Sequence, residues 1–268
     1  MTARLGHDVH GPKDAPVMVL GSSLGTTRSM WDEQLPALTP AFRVIRYDHR
    51  GHGESEVPPG PYALEDLVGD VLALLDSLAV GRAHHVGLSL GGMVALRLAA
   101  TAPERVDRLA LVCTAAHLPA QGWLDRAATV RAEGTAAVTD SVAARWFTPA
   151  FARTARADAL REAMRGLPAE GYAACCEAIA AMDLRPLLAG VRAPTLVVAG
   201  AEDPATPPEL GREIADTVNG GGGSARVAMV DGAAHLASVE RADRVSDLLL
   251  QHFGADAGAA MDSGAAHG

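Results

Sequence analysis

Apolar positions along the chain follow two alternating periods. Short apolar runs at Val17–Leu20, Phe42–Tyr47, His84–Gly87, Val106–Thr114, Thr195–Gly200 and Ala225–Val230 read as strands. Residues 4–10 form a poorer strand of the edge type. Between the strands, apolar residues fall at helical spacing. The clearest case is Leu64–Leu78, where Leu64, Leu67, Val68, Val71, Leu74, Leu75 and Leu78 share one face. Further helices are predicted over Trp31–Leu38, Leu90–Ala102 (closed by Pro103), Glu209–Val218 and Val239–Phe253. Strand and helix in alternation predict an α/β fold, with a mostly parallel central sheet and helices on both faces.

The alternation stops between His117 and Leu188, an Ala- and Arg-rich stretch of helical pattern with no convincing strand. The expected organisation is therefore a core of residues 1–116 and 191–254, with residues 117–190 inserted as a helical lid. Residues 255–268 are rich in Ala, Gly and Ser and carry no periodicity, as a disordered tail or linker would.

Composition narrows the function classes. The chain of 268 residues carries a formal charge of −9, which argues against nucleic acid as a partner. An anionic substrate would need a local arginine, since the overall field does not attract it. Aromatics make up only 4% of the chain, so Ala, Leu and Val must build the core. Cys113, Cys175 and Cys176 form neither a disulfide framework nor a C-x-x-C pair, and read as small buried thiols in a reducing cytoplasm. No signal peptide opens the chain and no apolar run is long enough to span a membrane, so a cytoplasmic location is expected.

The chemistry centres on Gly87-Leu88-Ser89-Leu90-Gly91, which fits the G-x-S-x-G turn between a strand and a helix. Such a turn lifts the Ser89 hydroxyl clear of the sheet at a helix N-terminus, with glycines where two backbones crowd. A serine hydroxyl needs a base to take its proton. His235 follows the Ala225–Val230 strand and is the one histidine between His117 and the final helix. Asp203 follows the Thr195–Gly200 strand and is the expected acid, ahead of its neighbour Glu202 and of Asp231, which lies too near His235 in sequence. The order Ser, Asp, His is the one this turn accompanies. The backbone N–H of Leu90 is one expected oxyanion donor. With Ser22-Ser23-Leu24-Gly25 in the H-G-x-x position, Leu24 N–H is the second, although Ser22 stands where histidine is usual. Asp48-His49-Arg50-Gly51-His52-Gly53-Glu54-Ser55 fits D-x-R-G-x-G-x-S, and its polar side chains are expected to brace a tight loop rather than to react.

Over residues 5–254 the chain resembles the α/β-hydrolase family, and within it the 3-oxoadipate enol-lactonases. The resemblance is carried by Leu20–Thr27 with Met30-Trp31-Asp32, by Gly171–Ile179 with Met182–Arg185, and by Ala199–Pro208. It implies an enzyme without metal or organic cofactor, acting on a small anionic lactone in the β-ketoadipate pathway of aromatic catabolism. It also implies that fusion to, or association with, a carboxymuconolactone decarboxylase is to be considered. The substrate carboxylate calls for a cation in the pocket, and Arg145 in the lid is the first candidate. Trp123, Trp146, Tyr172 and Met182 are candidate pocket residues. The alternatives are another carboxylesterase or lactonase, a cofactor-free haloperoxidase, and a non-catalytic hydrolase fold that binds a ligand without turnover.

Overall fold

The structure is a computed structural model, and it describes residues 2–254. The expected tail over 255–268 lies outside the described residues. Seven strands form one sheet: β1 (His7–His10), β2 (Val17–Gly21), β3 (Arg43–Tyr47), β4 (Ala83–Leu88), β5 (Val106–Val112), β6 (Thr195–Gly200) and β7 (Ala225–Val230). Their spatial order is β1-β3-β2-β4-β5-β6-β7. Only β1, at the edge, runs antiparallel, pairing with β3. The other pairings are parallel, as crossover helices require.

The chain goes from β2 outward to β3 and then returns to place β4 on the other side of β2. The strand order therefore reverses between β2 and β4. In an open parallel sheet the loops beyond the strands part at such a point and leave a crevice. The loop after β2 and the Ser89 turn after β4 both open there.

The helices are α1 (Leu35–Leu38), α2 (Leu64–Ser77), α3 (Leu90–Thr101), α4 (Gln121–Glu133), α5 (Ala136–Ala143), α6 (Ala155–Arg165), α7 (Ala169–Ala181), α8 (Arg185–Leu188), α9 (Pro208–Gly220), α10 (Ala237–Glu240) and α11 (Ala242–Phe253). Helix α3 is buried along most of its length and packs on β2, β4 and β5. Two predicted helices differ in detail. The first is a 3₁₀ turn over Arg28–Gln34 followed by the short α1, because Pro36 lacks the N–H that would continue the ladder. The last is broken at Arg241 (φ −130°, ψ 54°) into α10 and α11. The break turns the Glu240 carboxylate inward, where it accepts from Ala234 N–H at 3.0 Å and from Thr148 N–H at 3.2 Å.

Helices α4 to α8 lie between β5 and β6 in the chain, and an antiparallel bridge between His117 and Asp183 draws the two ends of that stretch together. Cys113, Cys175 and Cys176 are buried free thiols. No helix among the described residues is long and apolar enough to cross a membrane.

Several histidines are held neutral by burial. It pushes His49 down to about 3, with His52 adding repulsion; it pushes His85 and His252 each to about 4. The unfolded chain takes up protons on these rings near pH 6.5, and the folded chain does not until far lower. Stability is therefore full above about pH 6.5 and lost as pH falls toward 4, at about 1.4 kcal/mol per pH unit for each ring. The urea midpoint should be level from pH 8 to 7 and fall steeply from pH 6.5 to 5. A midpoint that does not change over that lower interval would contradict the assignment.

Candidate active site

Ser89 sits at φ 54° and ψ −114°, a conformation that side-chain-bearing residues seldom adopt. Its backbone is pinned on both sides: its N–H donates to Val112 O at 2.9 Å, and its carbonyl accepts from Thr114 Oγ1 at 2.7 Å and Met93 N–H at 2.9 Å. The surrounding glycines are needed for space. A Cβ on Gly87 would lie 2.1 Å from Gly91 O, and one on Gly91 would lie 2.3 Å from Gly21 O. Gly91 N–H donates to Ser22 O at 3.0 Å, so the loop after β2 is joined backbone to backbone with the first turn of α3.

That join decides which N–H groups stay free. Leu90 opens α3, where N–H groups lack helical partners. In the β2 loop, Ser23 N–H is directed at Met30 Sδ, Gly25 N–H donates to His52 Nε2 at 3.1 Å, and Thr26 N–H donates to Ser23 O at 3.1 Å. Leu24 N–H has no partner among the described residues, although its neighbours all do. Leu24 lines the same cavity as Ser89. The 48–55 loop supports this arrangement from behind: His49 Nε2–H donates to Ser22 O at 2.9 Å, and His52 accepts from Gly25. Burial keeps both rings neutral, so each can hold one fixed tautomer. Asp48 in turn holds Arg28 and Glu54 N–H, and Arg50 is clamped by the buried Asp70 at 2.6 and 2.7 Å.

The loops after β6 and β7 meet by another close approach. A Cβ on Gly200 would lie 2.3 Å from Ala234 O, and Glu202 N–H donates to Ala233 O at 3.0 Å. His235 Nδ1–H donates to Asp203 Oδ2 at 2.9 Å. Asp203 is 4% exposed, whereas Glu202 and Asp231 face solvent. Its carboxylate is fully engaged: Oδ1 accepts from Ala205 and Thr206 N–H at 2.8 and 3.0 Å, and Oδ2 also accepts from Thr206 Oγ1 at 2.7 Å. Burial raises its pKa, but the charge and hydrogen bond of His235 and the Thr206 donors outweigh it, so the group sits below the usual aspartate value. Thr206 Oγ1 also lies 3.2 Å from His235 Nδ1. Sequence reasoning missed Thr206; the signal was its place three residues after Asp203, within reach of an Asx turn.

Ser89 and His235, 7% and 5% exposed, line one cavity. No hydrogen bond joins Ser89 Oγ to the imidazole among the described residues, and bonds of this kind are often long before substrate arrives. Trp123, Arg145, Trp146 and Tyr172 also line the cavity. Met182 does not. It caps the C-terminal end of α7, its carbonyl accepts from His117 Nδ1 at 3.3 Å, and its side chain packs in the core. Arg126 lines the cavity and was missed, since on a helix such as α4 it reads like any solvated arginine. Its spacing of three from Trp123 was the available signal. The stretch after α5 is tied to the His235 loop by Leu236 N–H donating to Trp146 O at 2.9 Å, and by Glu240 bridging Ala234 and Thr148.

The pattern described as alpha/beta hydrolase fold matches residues 16–242. The chain belongs to the alpha/beta hydrolase fold family. This α/β-hydrolase is 42% identical over 205 residues to 3-oxoadipate enol-lactonase 2 of Acinetobacter baylyi, covering 75% of this chain and 77% of that one. It superposes on the enol-lactonase from Burkholderia xenovorans LB400 with a TM-score of 0.90 and 41% identity, covering 94% of this chain and 97% of that one. A thermophilic esterase from Thermogutta terrifontis gives 0.85 at 28% identity, covering 93% and 92%.

Gly91→Ala should lower stability by about 3 kcal/mol, because backbone has to move to admit the methyl group. Gly81→Ala is the control, since a Cβ there would meet nothing within 4 Å. Urea midpoints check this; equal midpoints for the two variants would refute the claim that backbone contact holds the turn.

Proposed function

We propose that this α/β-hydrolase opens 3-oxoadipate enol-lactone to 3-oxoadipate, with Ser89 as nucleophile, His235 as base and Asp203 as the group that fixes the imidazole. The observation that carries the reading is the Asp203–His235 bond at 2.9 Å, with His235 facing the cavity that Ser89 also lines. The likeness to the enol-lactonases of Acinetobacter baylyi and Burkholderia xenovorans supports the choice of lactone. The fold and triad by themselves favour no particular acyl group, since an esterase shares the fold at 28% identity.

In this reading Ser89 Oγ attacks the ring carbonyl carbon while His235 Nε2 takes its proton. The Leu90 and Leu24 N–H groups hold the oxyanion. Collapse breaks the ring C–O bond, and imidazolium returns the proton to the departing enolate oxygen. The enol, still tethered through the acyl chain, becomes a ketone, which makes ring closure unfavourable. Water then gives a proton to His235 as it adds to the acyl carbon, and Ser89 leaves as the alcohol. Asp203, kept ionised by its donors, stabilises the imidazolium formed in each half.

Steady-state turnover of the enol-lactone against p-nitrophenyl acetate tests the substrate choice. The lactone should be preferred in kcat/KM by roughly 100-fold or more, and Ser89→Ala and His235→Ala should each cost roughly 10³-fold in kcat. A preference for the acetate would overturn the lactonase reading and leave a general esterase. Unchanged turnover in Ser89→Ala would overturn the nucleophile itself.

A further inference from the structure

Thr206 stands where three hydrogen-bonding atoms meet. Its Oγ1 lies 2.7 Å from Asp203 Oδ2 and 3.2 Å from His235 Nδ1, and those two atoms lie 2.9 Å from each other. All three residues are buried, and Thr206 lines the same cavity as Ser89 and His235. The chain here reads Asp203-Pro204-Ala205-Thr206-Pro207. Asp203 and Thr206 each precede a proline, which disfavours the helical conformation for both. The β-branched Thr206 side chain also has few rotamers open to it. Its backbone N–H donates to Asp203 Oδ1 at 3.0 Å, beside that of Ala205 at 2.8 Å. The main chain therefore holds the hydroxyl against the carboxylate.

What this triangle does depends on where its protons lie. An ionised carboxylate can only accept, whereas the threonine hydroxyl has one proton and two lone pairs. That proton goes to Oδ2, which is the shorter and charge-assisted contact. Oγ1 then presents a lone pair to Nδ1, as Oδ2 does. With two acceptors facing it, Nδ1 keeps its proton, and the Nε2 lone pair is left for Ser89. The hydroxyl has a second effect. It draws off part of the charge on the oxygen that faces the imidazole, so the carboxylate pulls less strongly on an imidazolium. Burial acts to raise the Asp203 pKa; the His235 charge and hydrogen bond, followed by the Thr206 donors, bring it below the usual aspartate value.

We propose that Thr206 is a positioning residue for the Asp203–His235 pair: its hydroxyl keeps the neutral imidazole protonated on Nδ1 and limits how tightly the pair holds one further proton. The proposal rests on the Ser89, His235 and Asp203 reading, but not on the identity of the substrate. The other titratable groups facing the pair stay the same when Thr206 is changed. Burial and the Asp203 charge keep the Cys113 thiol protonated. Arg126, Arg145 and Tyr172 stand on the cavity wall, and Glu240 accepts from Ala234 N–H.

The measurement is kcat/KM for p-nitrophenyl acetate against pH, whose acidic limb reports the pair rather than either residue alone. Thr206→Val has nearly the shape of threonine and leaves no room for a water to replace the hydroxyl. Its limb should move to higher pH by about 0.5 to 1 unit, a fraction of what one charge-assisted bond is worth. Thr206→Ser returns the donor and should return the limb to its wild-type position. A merely structural role would lower the rate equally at every pH and leave the limb in place, which would overturn the proposal. So would a limb displaced as far in Thr206→Ser as in Thr206→Val.

Should Thr206→Val fail to fold, Thr206→Cys takes its place, because a thiol is a weaker donor. Its limb should move in the same direction, and an unmoved limb would overturn the proposal. If neither folds while Thr206→Ser does, the hydroxyl is structural and the proposal falls. Unchanged turnover in His235→Ala would remove the pair from the reaction, and the triad reading would fall with the role of Thr206. Lost turnover in His235→Ala with an unmoved limb in Thr206→Val leaves the triad standing and removes the role of Thr206 alone.

Discussion

The site depends on a contact between two stretches of backbone. Gly91, in the first turn of α3, lies against Gly21 and Ser22 at the end of β2, and its N–H donates to Ser22 O at 3.0 Å. No Cβ fits at that approach. The same contact fixes three things together: the positive φ of Ser89, the free N–H at the start of α3, and the path of the β2 loop that leaves Leu24 N–H without a partner. The His49 and His52 rings reinforce the loop, and they can do so because burial keeps them uncharged. Strain at one serine is thus balanced by a network that reaches to the 48–55 loop and to Arg50 on Asp70.

The second half of the proposed triad is positioned by the same device on the other side of β5. Gly200 lets the Asp203 loop approach the backbone of Ala234, and Thr206 and Ala205 saturate the carboxylate so that it stays ionised in a buried place. Because Leu236 and Glu240 are bonded to Trp146 and Thr148, the stretch after α5 is anchored to the loop that carries His235. A displacement of that stretch would therefore also disturb His235. Arg126 and Arg145 line the cavity from α4 and from just beyond α5.

Much of this was legible in the chain before any coordinates. Strands β2 to β7 were found because each is a short, mainly apolar run bounded by turn residues, and β1 only as a poorer edge piece; the elbow pentapeptide and the order of Ser89, Asp203 and His235 were read from the same alternation. Where reading failed, the missing information was about what lies across a gap. Nothing in the sequence of α4 shows that Arg126 faces a cavity rather than solvent. Met182 looked like a pocket residue because it is large and apolar; it lies where α7 ends, and the chain there turns into a bridge with His117. The break at Arg241 has no proline or glycine to announce it, since its cause is the tertiary role of Glu240.

The central claim is that Ser89 is activated by a neighbouring imidazole held by Asp203. Covalent labelling with a fluorophosphonate probe, followed by peptide mass spectrometry, measures this most directly. One adduct per chain on the peptide that contains Ser89, formed far more slowly in Asp203→Asn, is the predicted result. No adduct, or an adduct on another serine at the same rate in both proteins, would contradict it.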